Sequence, residues 1–316
     1  MGPGVSQCKA AGHGLTRVNG TRIDTDLRGG LIAEQFPDLA PVTLTYLGEG
    51  YDSTAFDVNG SWVFRFPKRA DVEEQLLIEQ RALPVLARHL PIPVPVPSRS
   101  GQPTTEFPSH FAGYPKLPGV PAIHIEAERF PYTAAARLLG RFLSALHAFS
   151  LSDAQQLGIP DQDIETMIEE CRAEALEDLP LVRDVAPDAP HAAWYSWLSE
   201  GPQATRPSSR VLVHNDLAAE HVLCDPETGI PTGVIDWSDM ALGDPAADFA
   251  GIFHWGGEPF AKAVLAHYDG DVDEHCLARA RFLAACRGVG DVRFGLDMKR
   301  REYITAGIRA LQMCAH

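Results

Sequence analysis

Apolar residues alternate on a two-residue period over residues 42–66, and from residue 133 onward they recur at helical spacing. That switch in period constrains the fold more than any other feature, because a two-residue period presents one face of a strand and a 3.6-residue period one face of a helix. Residues 42–47, 53–59 and 61–66 read as three strands, with Asn59-Gly60 as the hairpin turn between the last two. A helix over residues 27–36, ending at Pro37, precedes them. Residues 71–90 form a helix with Val72, Leu76, Leu83 and Leu86 inward and Pro84 as an interior breaker. PIPVPVPS then runs extended, and residues 109–117 supply another strand, stopped at Leu117-Pro118-Gly119. Helices are expected over 133–149, 161–179, 191–199, 246–254, 260–268, 274–287 and 297–315. A run of strands followed by a run of helices gives an α+β chain of two lobes. The expected boundaries are a disordered tail over 1–25, a small lobe over 26–113, a hinge over 114–119 and a larger helical lobe over 120–316.

Bulk properties narrow the function. The 316 residues are long enough to bury a sizeable core, and the net charge is −15 at pH 7. A chain this acidic does not suit nucleic acid, whose phosphates need a basic face; it suits cationic small molecules. The cysteines at 8, 171, 224, 276, 286 and 314 show no C-x-x-C pair and no metal-type spacing, so reduced thiols in a cytosolic protein are expected. No apolar stretch reaches the ~18 residues of a membrane span, and MGPGVSQCKAAGHG lacks the apolar core of a secretory signal. A cytoplasmic monomer with neither membrane nor nucleic-acid partner is the expectation.

The chemistry concentrates in two short polar clusters. His214-Asn215-Asp216 follows the apolar run Val211-Leu212-Val213, and Asp236 ends the run Gly233-Val234-Ile235 twenty residues later. Between them Asp225-Pro226-Glu227-Thr228-Gly229 reads as a tight turn. Strands joined by that turn bring Asp216, His221 and Asp236 to one sheet edge. Two carboxylates and an imidazole there suit phosphoryl transfer: one acid orients a hydroxyl, and two ligands hold Mg²⁺. Zinc on His214 and His221 lacks a third ligand at metal-type spacing, and His214 reads as structural. Asp244 is placed to cap the helix after Pro245, and Asp248 suits its first turn. Upstream, the turn carrying Gly48, Gly50 and Ser53 can turn backbone N–H groups toward phosphate oxygens. Alternation puts Val63 and Arg65 on one strand face, opposite Trp62, Phe64 and Phe66. Arg65 or the nearby Lys68 can grip phosphates, and Glu79 on the next helix can hold that base. The acid-rich segment 161–178 reads either as a solvated face or as an anionic wall for a polyamine.

Together these residues resemble the aminoglycoside phosphotransferase family, a branch of the protein-kinase-like fold, over roughly residues 23–310. His214-Asn215-Asp216 with His221 is similar to its catalytic loop, and Ile235-Asp236-Trp237 to its metal-binding segment. Gly243-Asp244-Pro245 with Asp248, Leu146-His147, Gly48-Glu49-Gly50, Phe64-Arg65-Phe66-Pro67-Lys68 and Tyr114-Pro115-Lys116-Leu117-Pro118-Gly119 fit in order. The resemblance implies a bilobal fold and a kinase using ATP or GTP with Mg²⁺. Asp216 would be the catalytic residue and His221 and Asp236 the metal ligands. Tyr114 and Lys116 would line the nucleotide hinge, with Gly48, Gly50, Ser53, Arg65, Lys68 and Glu79 around the phosphates. Asp239 and Glu258 resemble positions that contact the amines of an aminoglycoside phosphorylated at its 2″-hydroxyl. The acceptor class implied is a cationic antibiotic. Macrolide 2′-kinases and kinases of choline, homoserine or sugars share the same fold and stay open as alternatives.

Overall fold

The computed structural model describes residues 25–202, 207 and 209–315. The expected tail therefore falls, over residues 1–24, outside the described residues, and Thr25 already opens the first helix, α1 (Thr25–Gln35). Next come β1 (Leu44–Glu49), β2 (Ser53–Val58), β3 (Trp62–Pro67), helix α2 (Ala70–Leu86), β4 (Arg99–Gly101) and β5 (Phe111–Pro115). The strands form one antiparallel sheet in the order β1-β2-β3-β5-β4. Asn59 and Gly60, at φ 57° and 70°, make the tight β2–β3 turn whose twist matches the strands. Strand β3 divides its side chains as alternation requires. Phe64 and Phe66 join Phe36, Phe56, Phe107 and Phe111 in an aromatic core under α1, with Phe66 and Phe111 stacked at 4.7 Å between centroids. Val63 and Arg65 face the other way, into a cleft. Each buried phenylalanine contributes on the order of 1.5–3 kcal/mol by leaving water, so this face fixes the strand register and with it the direction of Arg65.

Pro84 does not break α2. It stands in the last turn, and the helix closes two residues later at Leu86, four short of the expected end. The second lobe comprises β6 (Val120–Pro121), α3 (Tyr132–His147), α4 (Leu151–Gln156), α5 (Ile164–Val185), α6 (His191–Glu200), β7 (Val211–Val213), β8 (Val222–Cys224), β9 (Pro231–Val234), β10 (Ala241–Gly243), α7 (Ala246–Leu265), α8 (Cys276–Asp297) and α9 (Arg301–Cys314). The architecture is thus a small antiparallel-sheet lobe with a larger helical one. Residues 246–254 and 260–268, expected as two helices, belong largely to one helix kinked at Gly257, whose φ of 69° breaks the helical path. Helix α8 continues ten residues past the expected end at 287.

Asp216 and Asp236 reach a common edge through two strand pairs, one of them the expected pair across the turn. Strand β7 pairs with β10, while β8 pairs with β9 across the Asp225–Gly229 turn. The Asp225 carboxylate closes that turn by accepting from the Glu227 and Thr228 amides at 3.0 and 2.8 Å. The β7–β8 and β9–β10 loops both line one cavity. Among the described residues no helix is long and apolar enough to cross a membrane. Cys224, Cys276, Cys286 and Cys314 are free and buried, whereas Cys171 is disulfide-bonded, a departure from the expected set of reduced thiols.

Candidate active site

The loop after β7 is held from below by one buried carboxylate. Asp248, in the first turn of α7, accepts from the His214 amide at 3.1 Å and the Asn215 amide at 2.7 Å. His147 of α3 sets that carboxylate with a 2.9 Å contact from Nε2, and its Nδ1 meets the Tyr268 hydroxyl at 2.8 Å. His214 is buried against Trp237, at 4.6 Å between ring centroids. Its Nδ1 accepts from the Asp216 amide at 3.2 Å, so Nε2 carries the hydrogen donated to the Ile235 carbonyl at 3.1 Å. Burial holds His214 below its ordinary pKa, against the pull of Asp248 and Asp216, which suits this neutral tautomer. His214 thus stitches the Asp216 loop to the strand that ends at Asp236. Asn215 and Asp236 both adopt left-handed backbone, at φ 70° and 63°, a cost that surrounding contacts must sustain. Asp244 acts as the expected cap in substance: its Oδ1 accepts from the Ala246 amide at 2.9 Å, and Arg279 grips both carboxylate oxygens.

His221 stands between the two aspartates. Its Nδ1 lies 2.9 Å from the Asp216 carbonyl and 3.2 Å from Asp216 Oδ2, and its Nε2 lies 3.7 Å from Asp236 Oδ2. Burial disfavours the imidazolium, yet Asp216, then Asp236 and Glu220, push the His221 pKa up to about 10 in the metal-free site. Burial likewise works against an ionised Asp216, but Arg287 and His221 hold its carboxyl well below the usual range. Arg65 reaches from β3 to take Glu79 with Nη1 at 2.9 Å and Asp236 with Nη2 at 3.0 Å, one guanidinium spanning sheet, helix and the second lobe. Lys68 does not share that position. Its ammonium is tied to the Gly50 carbonyl at 2.7 Å and to Glu49 at 2.9 Å, so it braces the glycine turn.

These groups open on a cavity of about 660 Å³. Gly48, Gly50, Ser53, Arg65, Tyr114 and Lys116 line it from the small lobe, and Asp216, His221, Asp236 and Asp239 from the other. Glu258 is not among the lining residues. It follows the Gly257 kink, half-exposed, and pairs with Lys262 one turn on at 2.6 Å, so the structure does not bring it to the cleft. The far wall holds Glu174 and Asp178 of α5 and Asp291 of α8, so part of the acid-rich segment does face the cavity. Tyr51, at the tip of the glycine turn, crosses to α8, where its hydroxyl donates to Asp297 at 3.1 Å and its ring meets Phe294 edge-on.

A family profile described as a phosphotransferase enzyme family matches residues 43–283. The chain belongs to that family. The phosphotransferase is 27% identical over 274 residues to the uncharacterized protein YcbJ of Bacillus subtilis (strain 168), covering 81% of this chain and 84% of the relative. An aminoglycoside 2″-phosphotransferase solved with GDP and kanamycin superposes with a TM-score of 0.68 at 29% identity, covering 90% of this chain and 96% of that one. The macrolide 2′-phosphotransferase MphH of Brachybacterium faecium follows at TM-score 0.59 and 25% identity, covering 90% and 98%. The phosphotransferase is an enzyme of the kinase-like fold whose family transfers phosphoryl groups to hydroxyls.

Sequence reasoning gave no role to two charged residues of this site. Glu220, buried, and Arg287 of α8 lie against Asp216, with Arg287 donating to both carboxylates. The available signal was the spacing of Arg287, Asp291 and Phe294 at i, i+4 and i+7, a single face of α8 that turns to the cavity.

Proposed function

We propose that this phosphotransferase moves the terminal phosphoryl group of ATP or GTP to a hydroxyl of a cationic antibiotic, an aminoglycoside first, at its 2″-hydroxyl. The observation that carries the reading is the meeting of Asp216 and Asp236 across His221 at the floor of a cavity whose far wall is Glu174, Asp178 and Asp291. Asp216, kept ionised, accepts a hydrogen bond from the acceptor hydroxyl and orients it for in-line attack. The Gly48–Ser53 turn offers backbone N–H groups to the donor phosphates, and Arg65, held by Glu79, supplies fixed positive charge there. Tyr114 and Lys116 border the region where the base of the nucleotide would lie.

The residues fit a divalent cation. With Nδ1 donating to the Asp216 carbonyl, His221 turns Nε2 toward Asp236 Oδ2, the orientation a hydrogen-bonded backbone carbonyl commonly gives a ligating imidazole. Asp216, Glu220 and His221 also cluster closely enough to share an ion, but Arg287 already brings positive charge to two of those three. His221 and Asp236 are therefore the pair that would hold it, Asp236 supplying the oxygen that Mg²⁺ favours. Mg²⁺ bound there supplies charge neutralisation on the phosphate oxygens.

A macrolide acceptor is the second reading. Met167, Leu283, Phe294 and Tyr303 give the same cavity an apolar stretch, and MphH superposes on the chain. Nucleotide consumption with kanamycin, gentamicin, erythromycin, choline and homoserine, each with ATP and GTP, separates these readings. Turnover of kanamycin or gentamicin is expected. Preferential turnover of erythromycin would select the macrolide reading, and turnover of choline or homoserine alone would remove the antibiotic altogether.

A further inference from the structure

Arg287 lies four residues beyond the segment matched by the family profile, which ends at 283. It sits ten residues before the end of α8, its side chain mostly buried at 15% exposure. Nη1 donates to Asp216 Oδ1 and Nη2 to Glu220 Oε1, both at very short range. The other Asp216 oxygen, Oδ2, faces His221 Nδ1 at 3.2 Å. One carboxylate oxygen is thus held by α8 and the other by the loop's own imidazole. Glu220 is buried as well, and its Oε2 has no hydrogen-bond partner among the described residues. A buried carboxylate that spends one oxygen on a guanidinium and leaves the other unused is costly for stability alone. It makes sense as the brace that aims the guanidinium. Both acids meet the one guanidinium, so Arg287 keeps the Asp216 and Glu220 carboxylates from repelling each other apart.

We infer that Arg287 is a positioning residue for phosphoryl transfer: aimed by Glu220, it fixes the rotation of the Asp216 carboxylate so that a lone pair stays turned toward the acceptor hydroxyl. This rests on the reading of Asp216 as the group that orients the hydroxyl. It adds that α8 does two tasks on one face. Arg287 sets the catalytic carboxylate, and Asp291 and Phe294, one and two turns on, form cavity wall. A lysine cannot replace it, because a point charge does not bridge two carboxylates in the fixed fork geometry of a guanidinium.

The test compares purified full-length chain with Arg287→Ala, Arg287→Lys, Glu220→Gln and Asp216→Asn. Initial rates are read with kanamycin and the preferred nucleotide, and as nucleotide hydrolysis to water without acceptor. GDP affinity and thermal midpoint are measured in parallel. Arg287→Ala is expected to lower kcat about 100-fold, the order of loss produced by misplacing a reacting group by about an ångström. The KM for kanamycin and the affinity for GDP should stay near wild type, and millimolar guanidinium should restore part of kcat. Arg287→Lys and Glu220→Gln should fall between these extremes. Wild-type kcat in a folded Arg287→Ala or Arg287→Lys, with Asp216→Asn inactive, overturns the positioning role and leaves the Asp216 reading standing. An active Asp216→Asn instead overturns the reading beneath it. If Arg287→Ala does not fold, Arg287→Lys and Glu220→Gln decide: unchanged kcat in both overturns the proposal. Loss of kcat without rescue by guanidinium, accompanied by a matching loss of GDP affinity, marks a purely structural role and also overturns it.

Discussion

At the scale of single residues the site is an exercise in holding charge still. Asp216 is acceptor-only when ionised, and Arg287 and His221 keep it so. Asp216→Asn keeps the size and loses the charge and one acceptor oxygen. It should fold as wild type and lose roughly 10²–10⁴-fold in turnover, the range general acid–base groups contribute; a rate within a few-fold of wild type would remove Asp216 from the mechanism. His221 permits a prediction of the opposite kind, on stability. Its folded pKa, pushed up to about 10 without metal, lies above the unfolded value of about 6.5. A raised folded pKa stabilises fully below the unfolded value and fades as pH climbs to the folded one. With chelator present, stability attributable to His221 should therefore be complete near pH 6 and decline between about pH 6.5 and 10. Urea unfolding midpoints across that range should fall less steeply in His221→Asn than in wild type. Parallel slopes in the two proteins would mean that the aspartates do not hold a proton on this ring.

At the scale of elements, the loop that carries Asp216 is placed by close backbone contact as much as by polar side chains. Helix α7 passes directly beneath it at Gly251, where an added Cβ would lie 2.0 Å from the Leu217 carbonyl oxygen and 2.5 Å from its carbon. Neither atom belongs to a flexible side chain, so one element has to move. Gly251→Ala should push the Asp216 loop away from α7, reduce kcat by at least tenfold and cost about 1–3 kcal/mol of stability, as overpacking does. Kinetics and thermal unfolding check both halves; unaltered kcat would show that the loop does not depend on α7 for its position. Nothing in the sequence flagged Gly251, because a glycine inside a helix announces neither what lies across from it nor how near. The same holds for Arg287, whose partners are 71 and 67 residues away. By contrast, the direction of Arg65 was legible from period-two alternation, since the phenylalanines opposite it leave one face for the base. So was the joint location of Asp216, His221 and Asp236, because apolar runs and a turn supply both edges. The β8–β9 pair across the Asp225–Gly229 turn was legible too, whereas the β7–β10 pair was not: β10 carries only Ala241, Leu242 and Gly243, too short a run to read as a strand on pattern alone.

At the scale of the whole molecule two cores meet unequally. The small lobe's aromatic core is self-contained, yet Leu83 and Leu86 from α2, with Ile92 and Val94 after it, belong to the large core of the helical lobe. The lobes are thus joined along the back by apolar packing, while across the front they touch through polar and edge contacts, Arg65 to Asp236 and Tyr51 to Asp297 and Phe294. Into that front opens a cleft whose far wall holds Glu174, Asp178, which Arg293 pairs at 2.7 Å, and Asp291, which His254 meets at 2.9 Å, in a chain of net charge −15. Such a field draws cations from a distance, and added salt screens it over about 10 Å at 0.1 M. Capture of a polycationic acceptor should weaken with ionic strength, while the transfer step proposed at Asp216 and Asp236 should not. The KM for kanamycin is therefore expected to rise several-fold between 50 and 500 mM NaCl with kcat nearly constant, and the rise should exceed that for erythromycin, which carries a single amine. The decisive comparison is the ratio of the two slopes. Specific-ion effects on the protein would raise both alike, whereas attraction to the acidic wall scales with acceptor charge. Equal slopes for the two acceptors would take Glu174, Asp178 and Asp291 out of recognition and leave the apolar stretch of the cavity as its basis.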